Sequence, residues 1–132
     1  MEEMLEKRGI GEKTISQMIE ICPNIKELGD EEILQKIEIL KKVNCDDIQI
    51  RNIVSSNPMY LDRSNTDVNK LINKMKDIGF STLNILFDGN PYILNLDEFE
   101  IENYIKEREN NGEQLEDIVD DMDSNPYLFE EI

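Results

Sequence analysis

The residues that could catalyse a reaction or hold a metal are two cysteines and several adjacent carboxylates. A cysteine nucleophile needs a base beside it, and Cys22 and Cys45 stand in a chain that has no histidine. The acidic clusters are Asp46-Asp47, Glu116-Asp117 and Asp120-Asp121, and none has the alternating ligands, central glycine and closing glutamate of a calcium loop. No carboxylate pair is placed in a shared pocket by its spacing. We therefore predict no enzyme activity, no metal site and no cofactor.

The charge and hydropathy of the chain restrict the kinds of partner that it can bind and the compartment in which it is expected. The chain has 14 Lys and Arg against 30 Asp and Glu, a formal charge of -16, which repels phosphate and anionic membranes at long range. Its first residues lack the apolar core of a signal peptide, and no apolar stretch is long enough to span a membrane. Two cysteines do not indicate a disulfide framework, so we expect buried, reduced thiols. These features favour the cytoplasm or another reducing intracellular compartment, without a membrane partner.

Four prolines, at positions 23, 58, 91 and 126, are spaced by 35, 33 and 35 residues. The surrounding text also recurs, as Ser56-Asn57-Pro58-Met59-Tyr60-Leu61, Gly89-Asn90-Pro91-Tyr92-Ile93-Leu94 and Ser124-Asn125-Pro126-Tyr127-Leu128-Phe129. Apolar residues at helical spacing precede each proline and, at offsets of 10, 14, 17 and 20, follow the first two. Each repeat is therefore predicted to be a helix, a proline-led turn and a longer helix. Arg108, Asn111 and Asp121 depart from the apolar pattern, and we expect a wetter helix face near Arg108 and Asn111.

The residues at the ends of the predicted helices fit the same division of the chain into repeats. The asparagines before the last three prolines suit helix N-caps, with proline at the first helical position. Asp30, a residue among 64–66, and Asp97 are predicted N-caps of the longer helices, and Asp97 with Glu100 suits a capping box. The residues between one repeat and the next are expected to adopt left-handed C-cap conformations; they are Gly9, Asn44, Gly79 and Gly112.

The predicted fold class is all-α, a right- or left-handed solenoid of units of roughly 34 residues. We expect one helical-repeat domain over 1–132, with units at about 10–43, 44–78, 79–111 and a partial unit at 112–132. The last unit ends after its proline turn, which suggests a terminal cap or a truncated chain.

The text Met75-Lys76-Asp77-Ile78-Gly79-Phe80-Ser81, leading to Asn90-Pro91-Tyr92-Ile93-Leu94, resembles the mTERF family of mitochondrial transcription termination factors. In diluted form the resemblance covers about residues 10–129. It implies a left-handed superhelix of three-helix units and nucleic-acid binding along a basic concave groove.

Lysine and arginine recur mainly in the middle or at the end of the longer helices. The candidate nucleic-acid-binding residues are Lys36, Lys41, Lys42, Lys70, Lys74, Lys76, Lys106 and Arg108. Their positions are explained equally by favourable interactions with helix dipoles. Separately, Arg8-Gly9-Ile10-Gly11 resembles the glycine hairpin of helix-hairpin-helix DNA-binding motifs, although Gly9 is also a repeat junction.

The first position after each proline mixes polar and large apolar residues, which favours an exposed row. Met59, Tyr92 and Tyr127 are the candidate protein-binding residues at this position. Our main hypothesis is a non-enzymatic binding module for a protein partner, basic in charge because the chain is acidic. The alternatives are nucleic-acid binding through the longer helices and an acidic mimic of DNA.

Overall fold

The computed structural model describes all of residues 1–132, and every regular element in it is a helix. The prediction of an all-α fold is confirmed. The nine α-helices are α1 (Glu2–Lys7), α2 (Glu12–Ile21), α3 (Asp30–Lys42), α4 (Asp47–Ser56), α5 (Met59–Asp62), α6 (Asn65–Ile78), α7 (Leu83–Gly89), α8 (Glu98–Asn110) and α9 (Leu115–Ser124). Three 3₁₀ helices occupy proline turns; they are η1 (Pro23–Glu27), η2 (Pro91–Asn95) and η3 (Pro126–Glu131). None of the helices is long and apolar enough to cross a membrane.

The helix order reproduces the predicted repeat of helix, proline turn and longer helix. The apolar residues predicted to face inward before each proline are buried, apart from the half-buried Ile19. The N-cap prediction is wrong at the second proline turn, where Pro58 itself is the N-cap of the short α-helix α5 and Asn57 is the C-cap of α4.

Helix ends follow from local side-chain chemistry. All four predicted junction residues have positive φ angles, which are 90° at Gly9, 71° at Asn44, 121° at Gly79 and 96° at Gly112. Asp97 accepts hydrogen bonds from the backbone of α8 and forms the predicted capping box with Glu100.

The N-cap prediction for Asp30 is wrong. Gly29 occupies the N-cap and Asp30 is the first helical residue. The Asp30 carboxylate accepts a hydrogen bond from the amino terminus of Met1 at 3.2 Å. The prediction failed because glycine reaches the extended N-cap conformation without a capping side chain.

The chain divides into two compact units, Met1–Asn65 and Thr66–Ile132, called here the first and second units. In the first unit the fully buried side chains include Ile25, Ile33 and Tyr60, and the Tyr60 hydroxyl donates to the carbonyl of Lys36 at 2.6 Å. In the second unit Phe80 and Phe129 pack with their ring centroids 5.8 Å apart. The single-domain assignment and the handedness of the solenoid stay predictions.

Candidate functional site

Lys36 is the one predicted nucleic-acid-binding residue that the fold buries, with only 5% of its surface exposed. Its Nζ donates to Oδ1 of Asn65 at 2.6 Å, and Asn65 in turn donates to Gln35. Burial lowers the pKa of the Lys36 ammonium, with Glu32 acting in the opposite direction. Lys36 therefore links α3 to Asn65 at the start of α6, and its burial leaves little of it accessible to a ligand.

Three further predicted residues are engaged by carboxylates. Lys74 and Lys106 contact the two oxygens of Glu102 at 3.1 and 2.8 Å. The hydrogen bonds from Lys106 and Lys74 lower the pKa of the Glu102 carboxyl, so this cluster is charged at neutral pH. Lys41 lies 3.6 Å from Glu38 on the surface of α3, a spacing that contributes little to stability. A phosphate would have to compete with these carboxylates.

Arg108 is held by two carboxylates and an aromatic ring. Its Nε and Nη2 donate to Glu113, Nη2 also donates to Asp121 at 2.9 Å, and its guanidinium lies 5.8 Å from the centroid of Tyr104. Arg108 and Asp121 are two of the three residues that interrupt the apolar repeat pattern, and they pair with each other. The expected wetter face near Arg108 is thus an ion-pair network in which the arginine side chain is 17% exposed.

The other three predicted residues, Lys42, Lys70 and Lys76, are exposed and have no carboxylate oxygen within 4.0 Å of the ammonium. Four cations that the repeat pattern did not single out also lack a carboxylate partner; Lys13 and Lys26 are exposed, whereas Arg8 and Arg51 are half-buried. Sequence reasoning missed Lys13, Lys26 and Arg51 because they do not recur at equivalent repeat positions, whereas it placed Arg8 in the glycine hairpin. All seven of these cations lie before residue 79, and five of them belong to the first unit.

Net charge is distributed very unevenly between the two units. Residues 1–65 contain 9 Lys and Arg against 13 Asp and Glu, which gives a net charge of -4. Residues 66–132 contain 5 against 17, which gives -12. The long-range repulsion of phosphate inferred from the whole chain therefore arises mainly from the second unit.

A cleft of about 390 Å³ opens in the first unit, between the α1–α2 turn and helix α4. Its rim carries Lys7, Arg8 and Arg51 together with the carboxylate of Asp47. Its floor is apolar and is formed by Leu5, Ile10, Ile37, Ile50 and Val54. The Arg8-Gly9-Ile10-Gly11 hairpin motif thus forms one wall of a cationic cleft.

The predicted exposed row is exposed in the structure. Met59, Tyr92 and Tyr127 have 52%, 56% and 64% of their surface accessible. In the second unit, Asn90 Nδ2 donates to the carbonyl of Pro126 at 3.1 Å, which joins the turns that carry the two tyrosines. Each turn is capped in the same way, because the asparagine before the proline accepts a hydrogen bond from the tyrosine N–H at 3.3 Å.

The groups considered for catalysis do not converge. Both cysteines are free and buried, as expected. No group of three or more His, Cys, Asp or Glu side chains comes together in a way that could hold a metal ion.

Comparison with known proteins gives one result. A family model described as mTERF matches residues 2–120. No curated protein and no solved structure matches the chain. The match covers residues 2–65 of the first unit and 66–120 of the second, which include the cationic cleft and the α7–α8 turn that carries Tyr92.

Proposed function

This chain belongs to the mTERF family, and we propose that it is a nucleic-acid-binding module that uses the first unit. The family consists of helical-repeat proteins whose better-known members bind nucleic acid rather than catalyse reactions. The observation that carries the proposal is the uneven charge: the first unit has a net charge of only -4 and five cations without a carboxylate partner. Such cations are available to neutralise phosphates.

The charge of the whole chain, which favours a protein partner, comes mainly from the second unit, whereas the family favours nucleic acid. Lys74, Lys106 and Arg108 are already bonded to carboxylates. Lys26 and Lys42, which are exposed and unpaired in the first unit, are better candidates.

Two double variants test the proposal with equal changes in charge. Lys26→Gln with Lys42→Gln removes two unpaired cations of the first unit, whereas Lys74→Gln with Lys106→Gln removes two that contact Glu102. Binding to a labelled 20-nucleotide duplex or single strand, a length of about two helical turns, is measured by fluorescence anisotropy across a salt series. We expect the first pair to weaken binding and to reduce the salt slope by about 2, since each phosphate contact contributes about 1.

The second pair is expected to change the slope less, because both of its lysines are held by the carboxylate of Glu102. Equal effects of the two pairs would remove the first unit as the binding surface. No binding by the unaltered chain at low salt would overturn nucleic-acid binding altogether.

A second function, binding of a basic protein segment by the second unit, is favoured by a separate observation. The Asn90–Pro126 hydrogen bond places Tyr92 and Tyr127 on joined turns, with both rings exposed in a unit of net charge -12. Exposed tyrosines and complementary charge are common at protein interfaces. A lysine-rich peptide should therefore bind the chain and dissociate as salt is added.

The matched control for this second function is Phe99, which is 61% exposed in the same unit but outside the proline turns. Tyr92→Ser with Tyr127→Ser should weaken peptide binding about tenfold, the effect of about 1.4 kcal/mol. Phe99→Ser should have a smaller effect. If all of these variants bind the peptide like the unaltered chain, the tyrosines are not the docking surface.

A further inference from the structure

Arg51 occupies an unusual position in the cleft of the first unit. A Cβ atom built on Gly9 would lie 2.6 Å from Nη1 of Arg51, so the guanidinium lies directly against the backbone of the α1–α2 turn. Asp47 precedes Arg51 by one helical turn, a spacing at which ion pairs form readily. No carboxylate oxygen nevertheless lies within 4.0 Å of the guanidinium.

Arg8 shares this condition, since it too is half-buried and has no carboxylate partner. The contrast with Arg108, which is bonded to two carboxylates, shows that the chain does pair partly buried arginines elsewhere. Withdrawing a guanidinium from water without a partner is unfavourable, and an anion bound between the two arginines would compensate for it. Arginine is also suited to phosphate, because its planar group donates two parallel hydrogen bonds.

The rest of the cleft indicates what the anion is attached to. Its floor is apolar, and its volume of about 390 Å³ falls within the range of small-molecule sites. Asp47 contributes an acceptor to the rim, which disfavours a second anionic group there and favours an N–H or O–H donor. An anion, a flat apolar body and a hydrogen-bond donor are the three parts of a nucleoside phosphate.

We propose that this cleft binds a nucleoside 5′-monophosphate, either as a free nucleotide or as the 5′-terminal nucleotide of a strand. The phosphate is held by Arg8 and Arg51, the base lies over Ile37 and Ile50, and Asp47 accepts a hydrogen bond from the base or the sugar. If the ligand is the 5′-terminal nucleotide of a strand, this inference rests on the proposed nucleic-acid function and identifies the part of the strand that is recognised.

The test uses isothermal titration calorimetry on the full chain with adenosine monophosphate, adenosine and inorganic phosphate. We expect the monophosphate to bind more tightly than either fragment. Arg51→Met should weaken its binding about tenfold or more, since it removes the paired charge-assisted hydrogen bonds to the phosphate. Arg63→Met, which makes the same substitution at another half-buried arginine of the first unit outside the cleft, should change it less than about twofold.

Two further variants separate recognition from loss of folding. Arg51→Lys keeps the charge without the paired donors and should give an intermediate affinity. Asp47→Leu removes both the acceptor and the negative charge, so inorganic phosphate should bind equally or more tightly while the preference for the monophosphate over phosphate falls. The proposal is overturned if the monophosphate binds no better than phosphate, or if Arg51→Met and Arg63→Met have equal effects.

Two oligonucleotides of the same sequence, one with a 5′-phosphate and one with a 5′-hydroxyl, distinguish a free nucleotide from the 5′ end of a strand as the ligand. Preference for the 5′-phosphate, lost in Arg51→Met, identifies the strand end, whereas binding of the monophosphate without that preference identifies the free nucleotide. If both oligonucleotides bind equally and the monophosphate does not bind, the cleft proposal fails and the proposed function stands. If only the monophosphate binds, the cleft is a nucleotide site and the proposed function fails.

Discussion

Replacing Asn90 tests whether adjacent proline turns are held together by a side chain. Asn90 is buried, caps the N–H of Tyr92 and donates to the carbonyl of Pro126 at 3.1 Å. Loss of the cap costs about 1 kcal/mol and loss of the second hydrogen bond about 1 kcal/mol more. Asn90→Ala should therefore lower the free energy of unfolding by about 2 kcal/mol.

Asn125 provides a matched control, since it caps Tyr127 in the same way but is exposed and has no other side-chain partner. Asn125→Ala should cost only about 1 kcal/mol. Urea denaturation measures both losses of unfolding free energy. The dependence of that free energy on urea concentration should be the same for the two variants and the unaltered chain, which excludes a change in the unfolded state. Equal costs for the two variants would refute the argument that the bond to Pro126 contributes to stability.

Three other changes follow from the same structure. Gly9→Ala should cost about 1–2 kcal/mol through its φ of 90° and its clash with a guanidinium. Gly11→Ala, at φ -73° with no neighbour within 4 Å, should cost only about 0.5 kcal/mol, because it replaces the glycine N-cap of α2. Thermal unfolding compares the two variants, and equal costs would contradict the account. Burial lowers the pKa of Lys36, so just below pH 10.5 this lysine binds more protons in the unfolded chain than in the folded one. The unaltered chain should therefore gain stability relative to Lys36→Met as the pH rises toward 10.5. Urea denaturation measures the difference in unfolding free energy between the two chains, and a difference independent of pH would exclude this effect. Arg108 lowers the pKa of Glu113, so the loss of unfolding free energy in Arg108→Met should be largest at neutral pH and should shrink as the pH falls below 4.5. Urea denaturation at several pH values measures this loss, and a loss independent of pH would contradict the pairing.

Local chemistry made much of the fold predictable. Asn44 and the three junction glycines have positive φ because the sequence places residues that tolerate this conformation where each repeat ends. Asp97 and Glu100 form their capping box because both partners lie within one helical turn. Interactions of this kind depend on near neighbours and can be read from spacing.

The candidate site was harder to predict because its residues interact across long distances in the chain. Lys36 resembles a surface lysine in the sequence, but its partner Asn65 is 29 residues away. Arg51 lies in a cleft because it packs on Gly9, a contact that helical periodicity does not encode. Arg108 and Asp121 did carry a signal, since two residues of opposite charge replaced apolar residues in adjacent repeats.

The central claim, that nucleic acid binds the first unit, is tested most directly by mapping the contact surface. The measurement is the change in backbone amide chemical shifts of the full 132-residue chain as a short oligonucleotide is added at low salt. We expect the shifted amides to lie in residues 1–65, including Gly9 and the residues around Lys26 and Lys42. Shifts confined to residues 66–132, or no shifts at all, would contradict the claim.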